Sequence, residues 1–460
     1  MNPSVKLAAT RAAIAPNAGT THLRITVTPP LDEASGSSRR PVALMLVADR
    51  SGSMKEPAGS PADEPPVVGP PVAPAPSPIV AWPNRAPVPM PLYQSEHRTK
   101  MSVLRDAAER LADVMHDEDL LGLVSFSDIA QRDLPLAPLT GSMRLTARQA
   151  IRTLRPDAST NLADGLRMAF EQFNAETLRT HICKVLVITD GQANVGVRDA
   201  DGLASIVAPA SDHGITLSAI GVGVSYDAAV LGAIARAGNG EYHHIESALG
   251  IDMLLRSELE ATSSVTLRGV EVLITAGSAA IGTNLNGYRQ TQTSQGVQVV
   301  LGDLARPRDI WLELSSPVML DGEVPVVALL RGTAADDVPE EATDTLLLRV
   351  TNDLQSVPED PALVRELAAI IRAQGVGEAA EQYDSGNFAA GRLRAQSTQA
   401  RLSALAINYR TGAGIVAGAD LDMLADAAAP FNSREERLRL KRMAASNNAV
   451  RRGRKPGEES

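Results

Sequence analysis

Cysteine is almost absent from this chain of 460 residues: Cys183 stands alone, which excludes an intramolecular disulfide and a cysteine metal cage. It lies just before the apolar run KVLVITD, where a small buried side chain is expected. Aromatic residues amount to 3%, too few for stacking on bases or sugars to be the main business. The excess of acid, a formal charge of −10 with a pI near 5.3, argues against a general nucleic-acid binder. No apolar run approaches the ~20 residues that span a bilayer. The opening MNPSVKLAATRAAIAPNAGTTH lacks the continuous apolar stretch of a secretory signal, so a cytoplasmic location is expected. No G-x-x-x-x-G-K-[ST] occurs, so any ATP hydrolysis would be a partner's.

What is present is alternation. Between residues 41 and 261, short apolar runs (VALMLVAD, LLGLVSFSD, KVLVITDG, ITLSAIGVGV and the weaker EYHHIES) alternate with amphipathic segments such as MSVLRDAAERLADVMH and DAAVLGAIARAG. Continuous rather than alternating hydrophobicity marks strands buried on both faces, so the spacing predicts a doubly wound α/β domain with a mainly parallel sheet. One interruption stands out: residues 56–91 hold 13 prolines in 36 positions, which forbids helix and predicts an extended insertion between the first strand and the first helix. Residues 262–355 change texture to short alternating runs and predict a β-sandwich. THLRITVTPP, in the N-terminal segment 1–40, reads as a strand of that same sandwich. Residues 356–410 predict a helical hairpin turning at YDSGNF. Residues 411–460 end in a basic stretch, with nine Lys/Arg against four Glu in the last 30 residues, and predict a solvated tail.

The chemistry is concentrated where strands end. The first apolar run stops in Asp49-Arg-Ser51-Gly-Ser53, the third in Asp190-Gly191, and RPDASTNLADGL sets Thr160 immediately before a helix. In a doubly wound sheet, loops after neighbouring strands converge on one edge, where ligands bind. Asp49, Ser51, Ser53, Thr160 and Asp190 could therefore face one point. Two carboxylates and three hydroxyls suit a hard divalent cation, and no thiol or imidazole is needed, which disfavours zinc.

These residues, with the flanking SGSM, LVSFSD, TNLADGL, VITDG and IGVG, resemble the metal ion-dependent adhesion site of a von Willebrand factor type A domain, a doubly wound Rossmann-like fold. The resemblance covers roughly residues 40–260 and implies that Asp49, Ser51, Ser53, Thr160 and Asp190 hold Mg²⁺, with Mn²⁺ and Ca²⁺ equally acceptable to such oxygens. It implies a coordination position left for a partner protein's Asp or Glu. The insertion is a departure from the family pattern, and its acids Glu56, Asp63 and Glu64 could fill that position in cis. The flanking parts are more loosely similar to bacterial proteins in which this domain precedes a β-domain and a helical pair. That layout carries labels such as calcium-activated chloride-channel homologue and inter-α-trypsin-inhibitor-like.

Three functions follow for comparison: a metal-dependent protein-binding scaffold, an accessory subunit of a MoxR-type AAA+ ATPase, and a metal-dependent hydrolase. The hydrolase is disfavoured because no general base with a tuning partner is evident. His213 reads as structural and His243-His244 as a pair alternating between core and surface, while His97 precedes the first helix and could lie near the cation, with nothing else to make it catalytic. The chain is accordingly expected not to be an enzyme.

Overall fold

The computed structural model describes residues 2–16, 19–30, 39–58, 98–157, 159–316, 322–334, 337–409, 415 and 417–453. Most of the proline-rich insertion, including Asp63 and Glu64, lies outside the described residues, as do His97 and the last seven residues of the basic end.

Three strands, β1 (Ser4–Ala9), β2 (Ala13–Ile14) and β3 (Thr20–Thr28), precede the α/β unit. That unit runs through β4 (Val42–Asp49), α1 (Lys100–Val114), β5 (Leu120–Phe126), β6 (Ala130–Pro138), α2 (Gly141–Thr153), α3 (Leu162–Phe170), α4 (Ala175–Thr180) and β7 (Ile182–Thr189). It continues with α5 (Ala200–Asp212), β8 (Ile215–Val222), α6 (Ala228–Ala237), β9 (Asn239–Ile245) and α7 (Ile251–Ser263). Its strands form one sheet in the order β6-β5-β4-β7-β8-β9, and only β6 runs antiparallel to its neighbour. The chain leaves β4 toward β5 on one side and returns to β7 on the other. The strand order therefore reverses at β4, the position where such sheets bind ligands.

Every residue of β4, β5 and β7 is buried. Ala43, Met45 and Val47 join one apolar layer with α3, α5 and α6, while Leu44, Leu46 and Ala48 join a second with α1 and α7. That two-sided burial is what the unbroken apolar runs encode. β6 was not foreseen. It carries Pro135 and Pro138, tolerated because an edge strand has a free hydrogen-bonding side.

After α7 come β10 (Leu267–Thr275), β11 (Ala280–Ile281), β12 (Arg289–Gln292), β13 (Val297–Leu304), β14 (Arg308–Ser315), β15 (Glu323–Ala334) and β16 (Pro339–Val350). They form two sheets, β1-β3-β14-β11 and β12-β13-β10-β15-β16-β2. Leu23, Ile25, Ile310 and Leu312 of the first pack on Val270, Val272, Val299 and Val326 of the second. Strand β3, the THLRITVTPP segment, sits between β1 and β14.

Helices α8 (Pro361–Asp384) and α9 (Phe388–Asn408) form the hairpin around Ser385–Asn387, and α10 (Ala419–Asp426) and α11 (Arg434–Arg451) pack onto it. Pro361 and the side chain of Asp360, which accepts from Ala362 N and Leu363 N, start α8. The expectation of a solvated basic tail is corrected: residues 434–451 are helix, and Lys441 is fully buried. The physical reason is pairing. Lys441 Nζ lies 2.6 Å from Asp384 Oδ2 and 4.0 Å from the centre of the Tyr226 ring, and Leu440, Met443 and Ala444 form an apolar stripe joined to the core of α8. Among the described residues no helix is long and apolar enough to cross a membrane.

Candidate metal centre

Register places the candidate residues. Asp49 is level with Phe126 of β5, and Ala48 with Ile188 of β7, so the residues following β4, β5 and β7 emerge at the same edge. A short 3₁₀ turn over Gly52–Lys55 bends the chain there, with Met54 buried beneath it. The loop before α3 is tied in by Asn161 N donating to Ser127 O (2.7 Å) and by Asp157 N donating to Arg50 O. Asn194 fixes Thr160 from the far side, its Oδ1 accepting from Thr160 N (2.8 Å) and its N–H donating to Thr160 O (3.0 Å).

The five oxygen-bearing side chains come together. Ser51 Oγ and Ser53 Oγ are 2.9 Å apart, and Ser53 Oγ donates to Asp190 Oδ1 at 2.7 Å. Asp49 Oδ1 accepts from Ser51 N (2.6 Å) and Oδ2 from Thr189 Oγ1 (2.5 Å). A methyl group built on Gly191 would sit 3.4 Å from Thr160 Oγ1, 3.6 Å from Ser51 Oγ and 3.7 Å from Asp49 Oδ2. Oxygens from two separate loops thus converge on one small volume beside a third, and the absence of a side chain at Gly191 keeps it open. Both carboxylates are completely buried. Burial raises Asp49 to about 6, against the hydrogen bonds from Thr189 and Ser51 and with Asp190 raising it further. An oxygen-only donor set with two buried carboxylates fits a divalent cation.

Lys100, at the start of α1, was missed in the sequence. Its Nζ donates to Asp190 Oδ2 and to Glu56 Oε2, both at 2.7 Å. Burial lowers the lysine's pKa, but Asp190 and Glu56 outweigh it, so it is held above the ordinary lysine range as a cation. Glu56 is thus joined to Asp190 through Lys100. Thr189, Asn194 and Arg50 were also unremarked. Thr189 alone had a signal, as the residue before Asp190 in VITDG. At the end of β5, Ser127 is buried and accepts from Arg50 at 3.2 Å, while Asp128 is exposed.

The histidine pair needs one correction. His243 is buried, its Nε2 2.7 Å from Glu258 Oε1, and His244 is half-buried rather than exposed. Helix α11 covers it, its Nδ1 is 2.6 Å from Tyr226 Oη, and burial together with Lys441 and Arg442 pushes it down to about 3. Glu241, His243 and Glu258 bring ligand-type atoms within 4.8 Å of one another near the amino ends of β7 and β9. Lys184 (3.0 Å from Glu258) and Arg308 (3.4 Å from Glu241) already pair those carboxylates, and the group reads as a structural ion network.

A doubly wound sheet whose switch-point loops present hydroxyls and carboxylates places the chain in the Rossmann-like class. Comparison with known proteins narrows the class. The family model described as the von Willebrand factor type A domain matches residues 90–192, a stretch that contains Thr160 and Asp190. Asp49, Ser51 and Ser53 lie ahead of the matched span. Among curated proteins, the uncharacterized protein YfbK of Escherichia coli (strain K12) is 28% identical over 176 residues, which are 38% of this chain and 30% of that protein. The chain thus spans under half the length of that relative. Among solved structures, a von Willebrand factor type A protein from Catenulispora acidiphila shares the fold over 97% of this chain and 96% of its own, with a TM-score of 0.66 at 14% identity. The ArnB paralog VWA2 from Sulfolobus acidocaldarius aligns over 98% of both chains with a TM-score of 0.61 at 12% identity.

Proposed function

We propose that the protein is a divalent-metal-dependent protein-binding module, not an enzyme. In this reading Asp49, Ser51, Ser53, Thr160 and Asp190 hold Mg²⁺, or Mn²⁺ or Ca²⁺, at the carboxyl edge of the sheet. The ion would supply an electrophilic position for a carboxylate of a partner protein's Asp or Glu. The chain's own residues bind and orient: Thr189 and Ser51 N aim Asp49, Asn194 aims Thr160, and the Ser53 hydroxyl meets Asp190. The observation that carries the reading is the convergence of Thr160 Oγ1, Ser51 Oγ and Asp49 Oδ2 within 4 Å of one point beside Gly191.

The test is a pull-down from native extract with tagged protein in Mg²⁺, in EDTA, and with Asp49→Ala in Mg²⁺. A partner retained only by the wild type in Mg²⁺ supports the reading. One retained in all three lanes refutes the metal's role in binding. The same experiment addresses the alternative of an accessory subunit for a MoxR-type AAA+ ATPase, which requires an ATPase among the retained proteins.

A further inference from the structure

We propose that Lys100 is a tethered competitor for the cation, and that Glu56 sets how strongly it competes. The inference rests on the metal-binding reading above and concerns the regulation of that site. Asp190 is fully buried and both its oxygens are engaged: Oδ1 by the Ser53 hydroxyl on the side of the oxygen cluster, Oδ2 by the Lys100 ammonium. Lys100 cannot drift away. Its side chain is 11% exposed, its backbone N–H donates to Glu56 O at 3.0 Å, and Thr99 caps the helix beneath it by accepting from Ser102 N at 3.1 Å.

The charges then decide the sign. Asp49 and Asp190 supply two negative charges for a divalent ion, and the ammonium cancels one of them within hydrogen-bond distance. A fixed positive charge so close to a cation site weakens binding, because its repulsion acts through partly dry protein. Glu56 returns a negative charge on the outer face of the same ammonium and draws it from Asp190. Its side chain is 59% exposed, so this counterweight is open to solvent and to whatever docks there. The lysine also explains how two buried carboxylates are tolerated when no metal is bound: the ammonium occupies one of them, and a metal takes over part of its task.

The rival role, in which Lys100 only positions Asp190 as a ligand, predicts the opposite sign. Lys100→Met and Glu56→Gln in the full chain, titrated with Mg²⁺ by calorimetry, separate the two. Competition predicts that Lys100→Met tightens Mg²⁺ by about tenfold or more and lowers the melting temperature in EDTA more than in Mg²⁺. It predicts that Glu56→Gln, a change at an exposed carboxylate that leaves the core untouched, weakens Mg²⁺ severalfold. Equal or weaker binding by Lys100→Met, or unchanged binding by Glu56→Gln where Lys100→Met does not fold, overturns the competition. Mg²⁺ binding by none of the three proteins removes the metal reading itself, whereas binding by Lys100→Met alone supports strong competition.

Discussion

Replacing Asp49 by Asn should stabilise the metal-free protein while abolishing its response to metal. Asp49 is completely buried, and its pKa is raised from 3.8 to about 6 because burial disfavours the carboxylate. A group that holds its proton more tightly in the fold costs stability as that proton leaves. The wild-type protein should therefore lose stability as pH rises from about 4 through 6 and stay reduced above it. The difference of roughly two pKa units corresponds to about 3 kcal/mol at pH 7.5. Asn keeps the shape and carries no charge at any pH. Its single carbonyl oxygen can accept from Ser51 N or from the Thr189 hydroxyl but not from both, and the lost bond returns about 1 kcal/mol. The net gain is on the order of 2 kcal/mol, or a rise of several degrees in melting temperature at about 2–4 °C per kcal/mol. His244, pushed down to about 3, pulls the other way by destabilising the fold as pH falls below 6.5, but it is common to both proteins and cancels in the difference. The assay is thermal unfolding of both proteins from pH 4.5 to 8, in EDTA and in Mg²⁺. The Asn variant should match the wild type near pH 4.5, exceed it above pH 6 in EDTA, and gain nothing from Mg²⁺. A variant less stable than wild type at pH 7.5 in EDTA refutes the burial argument, and equal Mg²⁺ stabilisation of both proteins refutes Asp49 as a ligand.

Gly191→Ala should leave the melting temperature in EDTA within the equivalent of about 1 kcal/mol, since the new methyl meets ordinary contacts of 3.4 to 3.7 Å, yet it should weaken Mg²⁺ at least tenfold by calorimetry because the methyl fills the space between the oxygens. Lys441→Met should cost about 3–5 kcal/mol in urea unfolding, because it leaves Asp384 buried without its counter-charge. Gly375→Ala should cost about 1–3 kcal/mol in the same assay, since its Cβ would fall 2.2 Å from Thr398 Oγ1, where α8 and α9 touch.

The parallel sheet and the oxygen cluster were legible because both follow from local pattern. Strands buried on two faces read as unbroken apolar runs, and loops after such strands share an edge, so Asp49, Ser51, Ser53, Thr160 and Asp190 could be grouped without knowing a single distance. Lys100 could not be grouped with them. It lies beyond the proline-rich stretch, and only backbone pairing across the base of that stretch brings it to Asp190. Helix α11 was hidden for a different reason. Its charged residues read as solvated, because the partners that bury Lys441 and Arg451, namely Asp384 and Glu378, belong to a helix some sixty to seventy positions earlier. The edge strand β6 was masked by its two prolines, which count against a strand until the strand is known to lie at an edge.

The pairing at the base of the insertion has a consequence for the chain's history. Pro57 bridges Thr99, Ala58 N donates to Arg98 O at 2.6 Å, and Ala58 O accepts from Ala248 N and Ser247 Oγ, both at 3.0 Å. The two ends of residues 59–97 are thus joined like a stem, whatever lies between them. Closing a loop on a formed stem costs only about 0.6 kcal/mol for each doubling of its length. Residues can therefore be gained or lost in that stretch at almost no expense to the geometry of Asp49, Ser51 and Ser53 on one side of the stem or of Lys100 on the other. The fold separates a part whose positions are fixed by chemistry from a part free to vary in length.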